Sequence, residues 1–325
     1  MKYTIFGESH GPAIGVVLEG APSGLELDWD FIHSEMARRA PGQNLLSTAR
    51  KEADEVQILS GAFEGKTTGT PLCAIIENTD TRSRDYAKLK NLPRPGHGDY
   101  SGWVKYSGCN DYRGGGHFSG RLTAPLVFAG AVAKLLLRQK GVEVSAHISM
   151  LEGVAGPTPQ QVEDIVLAAR QDRDSVGGAI ACAVTGLPAG LGAPDFGCNV
   201  EGIFSQYLFA VPAVKGVAFG AGFGFAHMRG SQANDPFYMD GEVVRTRTNH
   251  AGGVNGGITN GMPVTFEVAI RPTPSISREQ DTVDLASHED AKLTIEGRHD
   301  PCILPRALVV IEAAAALASC EVLGI

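Results

Sequence analysis

Two histidines in this chain stand in glycine-rich turns beside charged or hydroxyl partners. His10 lies in Gly7-Glu8-Ser9-His10-Gly11, and His97 in Arg94-Pro95-Gly96-His97-Gly98-Asp99. Glycine lets a backbone take up dihedrals that other residues avoid and approach a ligand closely. Histidine exchanges protons near neutral pH, with an unperturbed pKa of about 6.5. Two such turns predict a proton-handling site assembled from distant segments. A third polar cluster, Arg298-His299-Asp300-Pro301, sets a carboxylate among basic neighbours. Asp300 reads two ways: as a proton relay, which requires burial and positioning, or as the N-cap of the apolar run that begins near Cys302.

Arginines supply the next signal. Arg39, Arg50, Arg94, Arg113, Arg121, Arg271 and Arg298 lie near glycine, proline or serine at the ends of expected elements. The planar guanidinium binds carboxylate and phosphate with two parallel hydrogen bonds. Any one of them alone reads more readily as a solvated surface charge. Together, and beside glycine-flanked polar residues, they predict an anion site. The run Gly114-Gly115-Gly116 ahead of Ser119, and the turn Arg271-Pro272-Thr273-Pro274-Ser275, could cradle a phosphate with backbone N–H groups and hydroxyls. Simple turns are the competing reading. Neither a G-x-G-x-x-G after a strand nor a Walker lysine loop is present.

Composition narrows the classes. Glycine accounts for 41 of 325 residues, well above the usual share of about 7%, and it falls in short clusters rather than in a low-complexity linker. The formal net charge of −8 argues against a nucleic-acid surface, which needs a basic footprint. It leaves room for a small anionic ligand, because local arginines can dominate a cleft. The six cysteines are scattered with no C-x-x-C pair, so no metal site is expected and the thiols read as reduced. No signal-like segment opens the sequence, and no apolar run is expected to reach the ~18 residues of a membrane span. These features predict a cytoplasmic protein that engages no membrane.

The elements that must position these groups follow from periodicity. Strands are expected at 13–18, 56–60, 72–76, 142–151, 178–186, 214–219 and 263–270. Helices are expected at 28–39 with Asp28 as N-cap, 121–140, 159–170, 200–210 and 307–323. Residues 78–122 carry charge, glycine and aromatics with little periodicity, which predicts an ordered, site-building stretch. Each half offers strands and then a long apolar helix. That pattern hints at an internal duplication, with sheets packed over central helices.

The motifs in series resemble the chorismate synthase family. They are GESHG at 7–11, RPGHGDY at 94–100, DYRGGG at 111–116, SGRLT at 119–123, DSVGG at 174–178 and GLPAGLG at 186–192. They continue with AVKG at 213–216, RGSQAND at 229–235, NHAGGVNGGI at 249–258, RPTPSI at 271–276 and GRHDPC at 297–302. They run in family order over essentially the whole chain. The resemblance implies an α+β fold, a β-α-β sandwich with central helices, in a single domain over 1–325 with pseudo-repeat halves of about 1–140 and 141–325. It implies a lyase that converts 5-enolpyruvylshikimate-3-phosphate into chorismate and phosphate by 1,4-anti elimination in aromatic amino acid biosynthesis. It also implies reduced FMN as cofactor, an external NADP-linked flavin reductant, and a homotetramer.

Roles carry over position by position as implications of that resemblance. His10, His97 and Asp300 would be catalytic: His10 at the departing phosphate, His97 near the flavin N1 edge, and Asp300 near N5. Ser9, Arg39, Arg94, Arg121 and Arg298 would hold the substrate. His117, Phe118, Ser119, Gly120, Ala213, Gly256, Arg271, Pro272, Thr273, Pro274, Ser275 and Arg298 would hold FMN. Four places depart from the common pattern: Leu45 for arginine, His117-Phe118 for Arg-Ser, Leu122 for glutamate and Arg271 for lysine. Two other readings stay open at this point. One is a flavin oxidoreductase on an anionic substrate; the other is an inactive FMN- or anion-binding relative.

Overall fold

In the computed structural model, the described residues are 1–42, 54–79, 90–295 and 300–325. Two antiparallel sheets enclose a layer of helices. The first sheet orders its strands as Lys2–Gly7, Ala13–Glu19, Leu72–Glu77 and Gln57–Ser60. The second orders Val214–Phe219, Val264–Ile270, Gly178–Thr185, Glu143–Leu151 and Val154–Ala155. Between them run the helices Thr123–Arg138 and Leu304–Val322, with Trp29–Arg39 and Val200–Phe209 alongside. This is the α+β sandwich expected from the sequence, with one sheet and one long apolar helix drawn from each half.

The two central helices pack against each other directly. A Cβ added at Gly130 would lie 2.2 Å from the Ala313 Cβ, and residues 313–316 are all alanine. Small side chains let the two backbones approach, so each helix can be apolar around its circumference and bury both faces. One of these helices corrects an expectation. Residues 120–138 are long and apolar enough to cross a membrane, yet 89% of that window is buried inside the fold. It is a core helix.

Local signals set the boundaries. The Asp28 carboxylate accepts from the Phe31 N–H at 3.0 Å and caps the helix Trp29–Arg39. Pro41 ends it, because the residue before proline avoids the helical region; Ala40 is accordingly extended (ψ 143°). Arg39 is therefore the last helical residue, delivered at the edge of the helical layer. Thr158 caps Pro159–Gln171 with a reciprocal capping box.

Candidate active site

A loop of three glycines forms the hub of the site. Gly114, Gly115 and Gly116 all have positive φ, at 57°, 84° and 52°. They are also packed too closely for side chains. A Cβ at Gly114 would stand 2.1 Å from His10 Cε1 and 2.6 Å from the Ser9 hydroxyl oxygen. One at Gly115 would stand 2.9 Å from His97 Cε1 and 3.2 Å from an Arg94 nitrogen. The two histidine turns, far apart in sequence, thus meet neighbouring glycines of a single loop.

Ser9 and His10 are both buried. The Ser9 hydroxyl lies 3.0 Å from His10 Nδ1, 3.1 Å from the Gly114 carbonyl and 3.4 Å from that of Arg113. A hydroxyl has one proton to give. With two carbonyls also in reach, every group is satisfied when Ser9 donates to a carbonyl and accepts from His10 Nδ1–H. Ser9, which the resemblance gives to the substrate, has its hydroxyl directed at His10 and this glycine loop.

In the second turn, Arg94 and Asp99 are joined by a two-pronged ion pair. Arg94 Nε donates to Asp99 Oδ2 at 2.7 Å and Nη2 to Oδ1 at 2.9 Å. His97 Nδ1 lies 2.7 Å from the same Oδ1. Burial opposes ionisation of Asp99, but the bonds from Arg94 and His97 outweigh it and hold the carboxyl well below the usual range. Arg94 also donates to the Ser275 hydroxyl at 3.2 Å. That bond ties this turn to the segment 271–275.

Arg39 and Arg121 converge on Asp54, a residue that sequence reasoning did not single out. Arg39 Nη1 donates to one carboxylate oxygen at 2.5 Å, and Arg121 Nη1 to the other. Burial raises the Asp54 pKa, but the two guanidinium groups together hold it below its ordinary value. Further bonds fix the forks: Arg39 to Thr123 Oγ1 and the Gly120 carbonyl, Arg121 to Asn78 Oδ1 and the Glu77 carbonyl. The Arg39 carbonyl accepts from Arg306 Nε at 2.9 Å, and Arg306 Nη1 binds Asp300 at 2.5 Å. Asp300 is therefore an ion-pair partner. It does not cap the following helix, whose N-cap is Ile303 with no side-chain bond. Asp300 and Ser275 both line a cavity of about 160 Å³, together with Arg170, Arg173 and Pro301.

The expected flavin residues fall into two groups. Arg271 donates to the Gly96 carbonyl beside His97, and its own N–H donates to the carbonyl of Ala213 at 3.0 Å. Ser175 anchors the segment through the Thr273 carbonyl at 2.7 Å, while the buried Thr273 hydroxyl has no partner among the described residues. Pro272 lies close to Gly177, where a Cβ would meet its ring at 2.8 Å. Pro274 links Thr273 to Ser275. The Phe118 ring packs on Gly98 and Gly102; Ser119 accepts from the Arg121 N–H; Gly120 is exposed. His117 is exposed, its Nδ1 2.9 Å from the Gly7 carbonyl. Gly256 stands apart, in the exposed turn between Val254–Asn255 and Ile258–Thr259, with open space where a Cβ would point. Arg298 lies outside the described residues, as do Leu45, Arg50 and His299. Leu122, where the common pattern has glutamate, is buried in the core.

Comparison with known proteins decides the family. A sequence model described as chorismate synthase matches residues 1–323. The chorismate synthase of Thermococcus kodakarensis is 47% identical, covering 97% of this chain and 94% of its own. That of Dehalococcoides mccartyi is 43% identical, covering 96% and 92%. A crystal structure of chorismate synthase superposes with a TM-score of 0.76 at 27% identity, over 99% of this chain and 91% of that one.

The chain belongs to the chorismate synthase family. It is therefore placed among carbon–oxygen lyases that act on phosphates. Sequence reasoning found both histidine turns and the glycine hub of this chorismate synthase fold. Asp54 and Arg306 carry no motif and were missed, and Asp99 was given no role of its own although it lies within RPGHGDY. Among the described residues, no group of three or more His, Cys, Asp or Glu stands ready to hold a metal ion.

Proposed function

We propose that this chain eliminates phosphate from 5-enolpyruvylshikimate-3-phosphate to give chorismate, with reduced FMN bound, as a step of aromatic amino acid biosynthesis. The observation that carries this reading is the meeting of Ser9–His10 and Arg94–His97–Asp99 at adjacent glycines of one loop. One side of that loop holds a histidine set up as a general acid; the other holds a histidine paired with a carboxylate and tied to the segment 271–275.

The donor set fits a phosphate-bearing cofactor. The segment 271–275 brings the Arg271 guanidinium to the Gly96 carbonyl and the Ser275 hydroxyl to Arg94, and its buried Thr273 hydroxyl has no partner among the described residues. Ala213 accepts from the Arg271 N–H, while Ser119 and Gly120 stand beside Arg121 and Arg39. Reduced FMN, when bound, supplies the electron density that assists loss of the allylic phosphate.

The chain's own residues do the rest. His10 Nε2 gives a proton to the departing phosphate, while Ser9 holds the ring by Nδ1. Positive charge from the Arg39–Arg121 cluster attracts an anionic substrate. Asp300, paired with Arg306, accepts the ring proton. Arg298, two positions before Asp300 in the sequence, would bind substrate and flavin. Each proton transfer of this kind contributes roughly 10²–10⁴-fold.

The same reading takes the protein to be a cytoplasmic homotetramer that receives reduced FMN from an external, NADP-linked reductant. It treats residues 1–325 as a single domain of two pseudo-repeated halves. Exposed Phe237 and Met239, two residues apart on the strand Phe237–Asp240, support assembly, because adjacent apolar side chains on a surface mark contact sites. Light scattering on the purified protein tests the tetramer. Stoichiometry tests the chemistry: phosphate and chorismate should appear one for one under anaerobic conditions, with no NAD(P)H consumed per turnover once the flavin is reduced. One-for-one loss of NAD(P)H would instead indicate a flavin oxidoreductase.

A further inference from the structure

We infer that Arg94 and Asp99 are positioning residues that hold His97 as the single tautomer protonated at Nδ1, so that Nε2 alone exchanges protons. This rests on the reading above for what His97 does, but not for the tautomer itself.

The argument is one of donors and acceptors. His97 Nδ1 has two close neighbours: Asp99 Oδ1 at 2.7 Å and Arg94 Nη2 at 3.1 Å. If Nδ1 were unprotonated, its lone pair would accept from Arg94. It would then face a carboxylate oxygen, lone pair to lone pair, at 2.7 Å. Protonating Asp99 would relieve that contact, but the carboxylate already receives three bonds from Arg94: backbone N–H at 3.0 Å, Nε at 2.7 Å and Nη2 at 2.9 Å. Those bonds favour the charged form. The arrangement with every group satisfied has an ionised Asp99 accepting from both Arg94 and His97 Nδ1–H. Arg94 Nη2 then directs its proton to Asp99, not to the ring.

The second ring nitrogen is on the glycine side. A Cβ at Gly115 would lie 3.2 Å from Nε2 and 2.9 Å from Cε1. Among the described residues, the ring meets Arg94 and Asp99 from its own turn, and Gly115 of the loop that also carries Arg113 and His117. Ser275 stands behind Arg94, and Arg271 behind Gly96. Among these, Asp99 is the anion that contacts the ring. Should Nε2 pick up a proton, Asp99 is placed to balance the imidazolium, the logic by which a buried carboxylate orients a catalytic histidine. Arg94, expected to hold substrate, has its fork turned to Asp99 and Ser275, and serves the substrate through His97.

The test needs neither flavin nor substrate. Protein labelled with ¹⁵N only at histidine, with His97 assigned by difference against His97→Gln, reports the tautomer by NMR. We expect a pyrrole-type Nδ1 and a pyridine-type Nε2 in the neutral ring of the wild type. A ring protonated at Nε2 overturns the inference. Asp99→Ala should release His97 to a mixture of tautomers; an unchanged tautomer there also overturns it. Should that variant fail to fold, the wild-type spectrum decides alone. A chain that shows the Nδ1–H ring yet forms no chorismate would refute the functional reading and leave this inference standing.

Discussion

The His10 ring occupies the space where Gly114 would carry a side chain: an ideal Cβ there lies 2.1 Å from Cε1 and 2.2 Å from Nδ1. Gly114 also has φ 57°, which costs an L-residue about 1–2 kcal/mol. Its neighbour Gly115 has the same relation to His97. The loop is thus a template that fixes both rings at once, and it admits no side chain at either position.

Gly114→Ala should therefore displace His10 and lower turnover by roughly 10²-fold or more, since misplacement of about 1 Å has that effect. Crystal structures or NMR of the variant should show His10 moved. Wild-type turnover with His10 in place would refute the template.

His10→Ala and His97→Ala should each reduce kcat by roughly 10²–10⁴-fold, the range for a lost general acid or base. The two are separable by flavin binding. His97→Ala should alter the absorbance of bound FMN or its affinity, whereas His10→Ala should leave both unchanged. A normal kcat in either variant removes that histidine from the mechanism.

Stability should fall in acid through Asp54 and Asp99. Both folded pKa values lie below the unfolded value of about 3.9. Their contribution is complete above the unfolded pKa and is lost as pH drops through the folded one. Thermal unfolding should show a falling Tm below about pH 4. The gap between wild type and Asp99→Asn should narrow over the same window. A gap that is constant with pH would mean that the carboxylate charge is not what stabilises the turn.

A second cluster tests the core. Lys134 binds Glu35, and also Glu312 at 2.6 Å, while Arg38 grips Glu312 with two bonds at 2.7 and 2.8 Å. Lys134→Met would leave two buried carboxylates with one cation. We expect a loss of roughly 3–5 kcal/mol by denaturant unfolding, the usual result of removing one partner from a buried pair. A loss under about 1 kcal/mol, as for a surface pair, would show that water reaches the cluster.

Much of this architecture was legible in the residues, for stated reasons. Asp28 with Pro41 bounded the first helix, and the run 214–219 was read with its observed limits. The hairpin of Glu279–Asp284 and Glu289–Thr294 was not foreseen: it is polar along most of its length, so no apolar alternation marks it. The site divides the same way. His10 and His97 declared themselves by glycine neighbours. Asp54 did not, because a single carboxylate has meaning only once folding brings Arg39 and Arg121 to it. Asp300 was readable as either cap or relay, and only its bond to Arg306 excluded the cap.

The central claim is that this chain performs a redox-neutral elimination. Its most direct test is an anaerobic assay of the purified protein with 5-enolpyruvylshikimate-3-phosphate and photoreduced FMN, following phosphate, chorismate and flavin together. The account predicts equal amounts of phosphate and chorismate over many turnovers, with the flavin still reduced at the end. Oxidation of one flavin per product, or no phosphate release at all, would contradict it.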